Sequence, residues 1–143
     1  MKKYVFSVVF LLMVLGAVWL LAETISRPEA TSSDGLKVSS FVLKGDLTPK
    51  RRYFINFRLT NMTDHNITFH PNYGVFVGAR YNDANTDFGH RAKGWTISPG
   101  SYVNMKVTNQ FTRGGTYVFW PAYHANGHWG PYRWNAITVN IVE

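Results

Sequence analysis

The sequence predicts an all-β body of antiparallel strands behind one apolar N-terminal segment, and three observations predict it. After Gly35 apolar and polar residues alternate with a period of two, most cleanly over Tyr53–Thr60. Turn-forming residues (Gly, Pro, Asn, Asp) recur roughly every 8–12 residues between these runs, with no sustained helical period. Aromatics make up 16% of the chain, the enrichment that pleated, half-buried surfaces favour.

Composition narrows the rest. At 143 residues the chain has room for one domain. A hydrophobic fraction of 45% against 16% charged residues excludes a disordered polymer. The absence of cysteine excludes a disulfide framework, a thiolate zinc site and a cysteine nucleophile. Fifteen Lys+Arg against eight Asp+Glu give a net charge of +7.

Lys2 and Lys3 precede an apolar run from Tyr4 to Ala22, interrupted only by Ser7 and Gly16. As a helix this run spans about 28 Å, close to the roughly 30 Å hydrocarbon core of a bilayer. The run is too long for a signal-peptide core and ends in Leu20-Leu21-Ala22, without the small-x-small cleavage pattern. Residues 1–22 are therefore read as an uncleaved, single-pass transmembrane helix. The two lysines place its N-terminus in the cytoplasm and the remainder outside the cell membrane. Residues 23–34 (ETISRPEATSSD) read as a polar linker, and 35–143 as the folded domain.

Within the domain, Leu36–Lys44 is a first strand closed by a Gly45-Asp46 turn, and Tyr53–Thr60 a second. In the second, Tyr53, Ile55, Phe57 and Leu59 share the buried face while Phe54, Asn56, Arg58 and Thr60 share the wet one. Ile67 and Phe69 belong to a short strand before Pro71-Asn72, and Tyr73–Tyr81 to the next. Asn82–Gly94 reads as a long loop, and Ser98-Pro99-Gly100 as a type II turn. Tyr102–Thr108, Thr116–Tyr123 and Trp134–Val142 complete the strands, with Asn126-Gly127 marking a hairpin and Ile137, Val139 and Ile141 facing inward. About seven or eight short strands in roughly 110 residues match an immunoglobulin-like antiparallel β-sandwich. Tyr117, after Gly115-Thr116, stands where a tyrosine corner belongs.

Three motifs, Asn61-Met62-Thr63-Asp64, Thr96-Ile97-Ser98-Pro99-Gly100 and Gly115-Thr116-Tyr117, carry a resemblance over Gly35–Glu143. They resemble the immunoglobulin-like (CARDB-like) accessory modules of prokaryotic surface proteins, which implies a non-catalytic adhesion, spacer or binding role. The layout of one span plus a β-sandwich is also similar to archaeal filament and archaellum stator subunits. Filament pilins carry Gly or Ala just before the apolar run, where Lys3-Tyr4 stands here.

Candidate chemistry is sparse. Trp120, Trp129 and Tyr132 fall in the aromatic-rich stretch near the C-terminus, and exposed rings there would form a protein or sugar contact. Asp83 and Asp87 sit in the expected Asn82–Gly94 loop, with Asp87 and His90 a conceivable dyad and Asn82, Asp83, Asn85 and Asp87 a partial calcium pattern lacking the EF-hand glycine and glutamate. His90, His124 and His128 are the weak metal candidates. A two-residue hairpin pairs Ala125 with His128 and His124 with Trp129, sending those two imidazoles to opposite faces. Asn61 and Asn66 each open an N-x-[ST] sequon and are the candidate glycosylation sites. Lys50-Arg51-Arg52 and Arg91-Ala92-Lys93 carry much of the basic excess, read either as attraction to anionic surfaces or as edge-strand protection.

The expectation is a membrane-anchored, extracytoplasmic binding or structural module acting through contacts with other envelope proteins. It has no catalytic residues, no cofactor and no nucleic-acid partner, and it could form part of a larger assembly. A carbohydrate-binding surface module using loop aromatics and a metal-binding accessory protein are the alternatives.

Overall fold

The structure, a computed structural model, describes residues 22–143. The expected transmembrane helix therefore lies outside the described residues, apart from Ala22, which already opens a strand. Among the described residues no helix is long and apolar enough to cross a membrane.

Among the described residues thirteen strands follow one another, with a single 3-10 turn at Arg133–Asn135. They are β1 (Ala22–Arg27), β2 (Ala30–Thr31), β3 (Leu36–Val38), β4 (Phe41–Asp46), β5 (Arg52–Asn61), β6 (Ile67–Thr68), β7 (Val75–Tyr81), β8 (Ala84–Arg91), β9 (Thr96–Ile97), β10 (Tyr102–Gln110), β11 (Gly115–Ala125), β12 (His128–Pro131) and β13 (Ile137–Ile141). All pairings are antiparallel, as predicted.

The first sheet has six strands built around β5. β4 pairs with the first half of β5 and β3 with its end, while β10 takes the other edge along its whole length. The single strand expected over Leu36–Lys44 is thus two strands, separated at Ser39-Ser40. The second sheet has five strands built around β11, with β13 and β12 sharing one edge and β7 then β8 on the other. β6 and β9 form a small separate ladder.

Alternation decides the core. Ile55, Phe57 and Leu59 of β5, Val103, Met105 and Val107 of β10, and Leu43 of β4 meet Val75 and Val77 of β7, Phe119 of β11 and Ile137, Val139 and Ile141 of β13 in one buried cluster. Tyr53 closes it against Phe111 and Phe119, with ring centroids 4.3 and 5.2 Å apart. Burial of a side chain of this size contributes about 1.5–3 kcal/mol. The Tyr117 hydroxyl donates to the Arg113 carbonyl at 2.8 Å, which ties the start of β11 to the turn before it. Gly100 carries φ 79°, as position i+2 of the predicted type II turn requires, and the Ser101 N–H closes that turn on the Ser98 carbonyl at 3.0 Å.

Two stretches differ from the sequence-based expectation for the same reason, backbone pairing that polar side chains conceal. The expected linker over residues 23–34 carries β1, paired along β4, and β2, paired with β3. The expected loop Asn82–Gly94 is mostly β8, which returns along β7 after a tight Asn82-Asp83 turn, with Asn82 at φ 51°. Both β1 and β8 are edge strands exposed along most of their length, so neither shows an apolar stripe.

Candidate functional site

The wet side of β5 sits in the middle of a broad open face. Register fixes its rows: Thr24, Lys44, Phe54 and Thr108 lie across four strands, as do Ser26, Val42, Asn56 and Lys106. Arg58 opposes Asn104, Thr60 lies between Lys37 and Tyr102, and Arg52 opposes Gln110. Cations, amides and two aromatics therefore share one surface. Phe54 is 40% and Tyr102 49% exposed, well above the exposure of rings used as core.

Arg58 is held in place. Its guanidinium lies 3.9 Å from the Tyr102 ring centroid, and its Nε donates to Asn104 Oδ1 at 2.9 Å. Two shallow depressions lie side by side on this face and share Asn56 and Lys106. One, of about 560 Å³, lies between Ser39-Ser40 and Arg58, and the other, of about 430 Å³, between Lys44 and Arg52. Asp46 stands at the corner of the second and is already engaged, accepting from the Thr48 hydroxyl at 2.9 Å with the Arg51 Nε 3.9 Å away. Lys37 at the far edge pairs with Glu29 at 3.5 Å. Lys44, Arg52, Arg58 and Lys106 have no carboxylate within ion-pair distance among the described residues.

The other sheet's outer face is built differently. Trp120, expected as an exposed contact residue, is buried there with Phe76 and Ala122, and the Arg133 guanidinium lies 5.4 Å from its ring centroid. The correction has a steric reason: β7 presents Gly78 opposite Trp120, and the indole occupies the space a side chain there would take. Tyr132 is also buried, its hydroxyl donating to the Leu36 carbonyl at 2.6 Å, so it is a tie between the sheets. Trp129 is 54% exposed and leans on His124 and Tyr73 at 4.2 and 4.6 Å between centroids.

The predicted hairpin register holds, with Ala125 opposite His128 and His124 opposite Trp129. His124 joins His70, Tyr73 and Trp129 in an aromatic stack, and its Nδ1 is buried without a hydrogen-bond partner. Burial, then the neighbouring His70 and His128, hold its pKa below the usual histidine value. Asp87 and His90 do meet, Nε2 to Oδ1 at 2.7 Å, while Nδ1 of the same ring faces the Tyr73 carbonyl at 2.8 Å and the ring stacks on Phe76. Asp83 is exposed at the β7–β8 turn. Among the described residues no group of three or more His, Cys, Asp or Glu is arranged to hold a metal ion.

The two sequons separate. Asn66 is exposed. Asn61 is fully buried, its Nδ2 donating to the carbonyls of His65 (2.8 Å) and Ile97 (3.1 Å) and its Oδ1 accepting from the Thr63 N–H and hydroxyl. That amide is consumed by the turn it builds, so Asn61 is withdrawn as a glycosylation site.

No family model and no curated protein matches the chain. Among solved structures it is similar to the Pseudomonas fluorescens alkylpurine DNA glycosylase AlkC bound to DNA containing an abasic site analogue, with 13% identity and a TM-score of 0.47. The alignment covers 67% of this chain and 27% of that one. This match runs against three sequence-based expectations: a membrane-anchored surface module working through envelope partners or glycans, the absence of enzymatic activity, and the absence of a nucleic-acid partner. All three are withdrawn. A TM-score of 0.47 in turn lends this chain neither fold nor activity.

Proposed function

We propose that the open face of the six-stranded sheet binds single-stranded nucleic acid. One observation carries the reading: Lys44, Arg52, Arg58 and Lys106, which have no ion-pair partner among the described residues, lie on the same surface as the exposed rings of Phe54 and Tyr102. Cations alone would suit any polyanion. Aromatic rings and a flat guanidinium beside them suit bases, which stack on such platforms for about 1–3 kcal/mol each. Arg52 to Thr60 along β5 covers roughly 26 Å, and a groove of that order accommodates about 4 or more nucleotides. Asn56, Asn104 and Gln110 add donors and acceptors for base edges or sugars.

The face is carried by a sandwich we read as immunoglobulin-like. The order β3/β4, β5, β10 in one sheet and β13/β12, β11, β7, β8 in the other supports that reading.

Fluorescence anisotropy of a labelled oligothymidine against the full-length chain tests the proposal, with a heparin fragment as a charged polymer lacking bases. Four phosphate contacts predict a loss of about 50-fold in affinity between 50 and 200 mM salt. Phe54→Ala combined with Tyr102→Ala should weaken oligothymidine binding by about 10-fold or more and leave heparin binding nearly unchanged. Equal losses for both polymers, or none for either, would sink the stacking role.

A further inference from the structure

Beside Arg133, on the outer face of the five-stranded sheet, two hollows adjoin. Register puts Asn85, Arg80 and Val118 in one row across β8, β7 and β11, and Asp87, Gly78 and Trp120 in the next. Directly opposed residues of a ladder share a face, so these positions face outward together. One hollow, of about 140 Å³, is lined by Arg80, Asn85, Val118, Trp120, Arg133 and Ala136. The lining of the other, of about 250 Å³, includes Phe76, Gly78, Asp87, Trp120, Trp129 and Arg133. Trp120 and Arg133 belong to both, which makes the two one groove.

The first hollow is cationic, with no acid on its lining. Arg80 and Arg133 have no carboxylate within ion-pair distance among the described residues. Arg80 Nε donates to Asn85 Oδ1 at 3.1 Å, which steadies the guanidinium and leaves the Asn85 amide nitrogen as a further donor. Arg133 grows from a fixed base. The Ala136 N–H closes its turn on the Arg133 carbonyl at 3.1 Å, and Asn135 Nδ2 anchors that turn to the Pro28 carbonyl at 2.6 Å. Two guanidinium forks beside an amide donor match the oxygens of a phosphate.

The second hollow is aromatic and carries one acid. Phe76 and Trp129 meet edge-on at 6.1 Å between centroids. Asp87 Oδ1 is paired with His90 Nε2 at 2.7 Å, and among the described residues no donor meets its Oδ2. The Nε1 edge of Trp120 fills the space above Gly78, the register partner of Asp87. An N–H donor above β7 and a carboxylate acceptor on β8 are therefore neighbours.

We propose that this groove binds a single nucleoside monophosphate, its phosphate between Arg80 and Arg133 and its base in the aromatic hollow with an amino group toward Asp87. The charges set the orientation, since a phosphate at the other end would meet the carboxylate. An inorganic anion would use the first hollow alone, and an uncharged aromatic would leave both guanidinium groups unused. Cytosine suits the polar pair: its N4 amine donates to a carboxylate, while its N3 accepts from the indole N–H. Uracil presents an oxygen acceptor in place of that amine and leaves Asp87 facing it unpaired. The inference does not rest on the reading of the open face, which concerns the other sheet.

CMP titrated into the full-length chain, followed by the Trp120 indole N–H resonance, is the direct test. Cytidine, inorganic phosphate and UMP are the comparison probes. The expected result is a saturable shift with CMP and affinity at least about 10-fold weaker for each of the other three. Arg133→Gln should weaken CMP by about 10-fold and leave cytidine nearly unchanged. Arg133 also covers Trp120, so Arg80→Gln, an exposed side chain tied only to Asn85, serves as the second variant with the same expectation. No shift with CMP, equal affinity for CMP and cytidine or for CMP and UMP, or full CMP affinity in a folded Arg80→Gln would each overturn the proposal. So would a saturable CMP response that spares the Trp120 indole. Binding of oligothymidine to the open face is read separately and survives any of these outcomes.

Discussion

The outer faces of the two sheets arise from the same alternation and meet opposite fates. On the six-stranded sheet the outward positions of β5 and β10 hold Arg58, Asn56, Lys106 and Asn104, and the face stays open. On the five-stranded sheet the outward positions of β7 and β11 hold Phe76, Val118, Trp120 and Ala122, and the face is covered. The covering comes from the segment after β12, where the Tyr132 N–H bonds the Pro121 carbonyl at 3.0 Å and Arg133 reaches over Trp120. A period of two therefore says which residues leave the core, while their polarity says whether anything must shield them.

The sharpest way to break this contrast is to remove a ring from each face. Trp120→Ala should cost about 3–5 kcal/mol in chemical denaturation, as for a buried aromatic that leaves a cavity. Phe54→Ala, on the open face, should change stability by about 0.5 kcal/mol or less while weakening oligothymidine binding. Similar losses for the two variants would mean that Phe54 also packs as core. Gly78→Ala comes next. A Cβ there would stand 2.2 Å from Trp120 Nε1, so overpacking should cost about 1–3 kcal/mol, visible as a lower denaturation midpoint.

The contrast also shows what was legible before the structure. The two faces of Tyr53–Thr60 were readable at once, including Phe54, Asn56 and Arg58 on the wet side. The partners that turn those residues into a surface were not, because Lys44 and Lys106 reach them only through pairing with β4 and β10. The hairpin at Asn126-Gly127 and the inward set Ile137, Val139 and Ile141 were readable because turn chemistry and alternation are local. Trp120 and Tyr132 were misassigned to the surface because an aromatic residue in a Gly- and Pro-rich stretch looks the same whether it covers a sheet or faces water. The bond from Tyr123 to Asp34 escaped notice, since the two lie far apart along the chain. Asn61 carried a sequon that its burial in the Thr63–His65 turn overrides.

A smaller effect probes the covered face through protonation. The pKa of His124 is lowered in the folded protein, chiefly by burial in the stack with Trp129 and Tyr73. The unfolded chain therefore takes up that proton first, and stability should fall as pH drops below about 6.5. Asp34, lowered because hydrogen bonds from Ser32 and Tyr123 outweigh its partial burial, adds a further loss below about pH 3.8. His124→Phe should flatten the first of these two declines in thermal melts recorded across pH and leave the second in place. A decline below pH 6.5 that survives His124→Phe would assign it to another group.

The smallest stability change and the most selective binding change should come from one charge on the open face. Lys106 is exposed, opposes Asn56 across the β5–β10 ladder and has no ion-pair partner among the described residues. Lys106→Gln should leave the melting temperature within the effect of about 0.5 kcal/mol, since no structural contact depends on the ammonium. If the ammonium meets a phosphate, its loss removes one released counterion, and the slope of log affinity against log salt should shrink by about 0.7 for a single strand. A weaker affinity with an unchanged slope would mean that Lys106 acts by shape or hydrogen bonding. The cations of this face would then be ordinary solvated side chains, and only the rings would distinguish it from any other wet sheet.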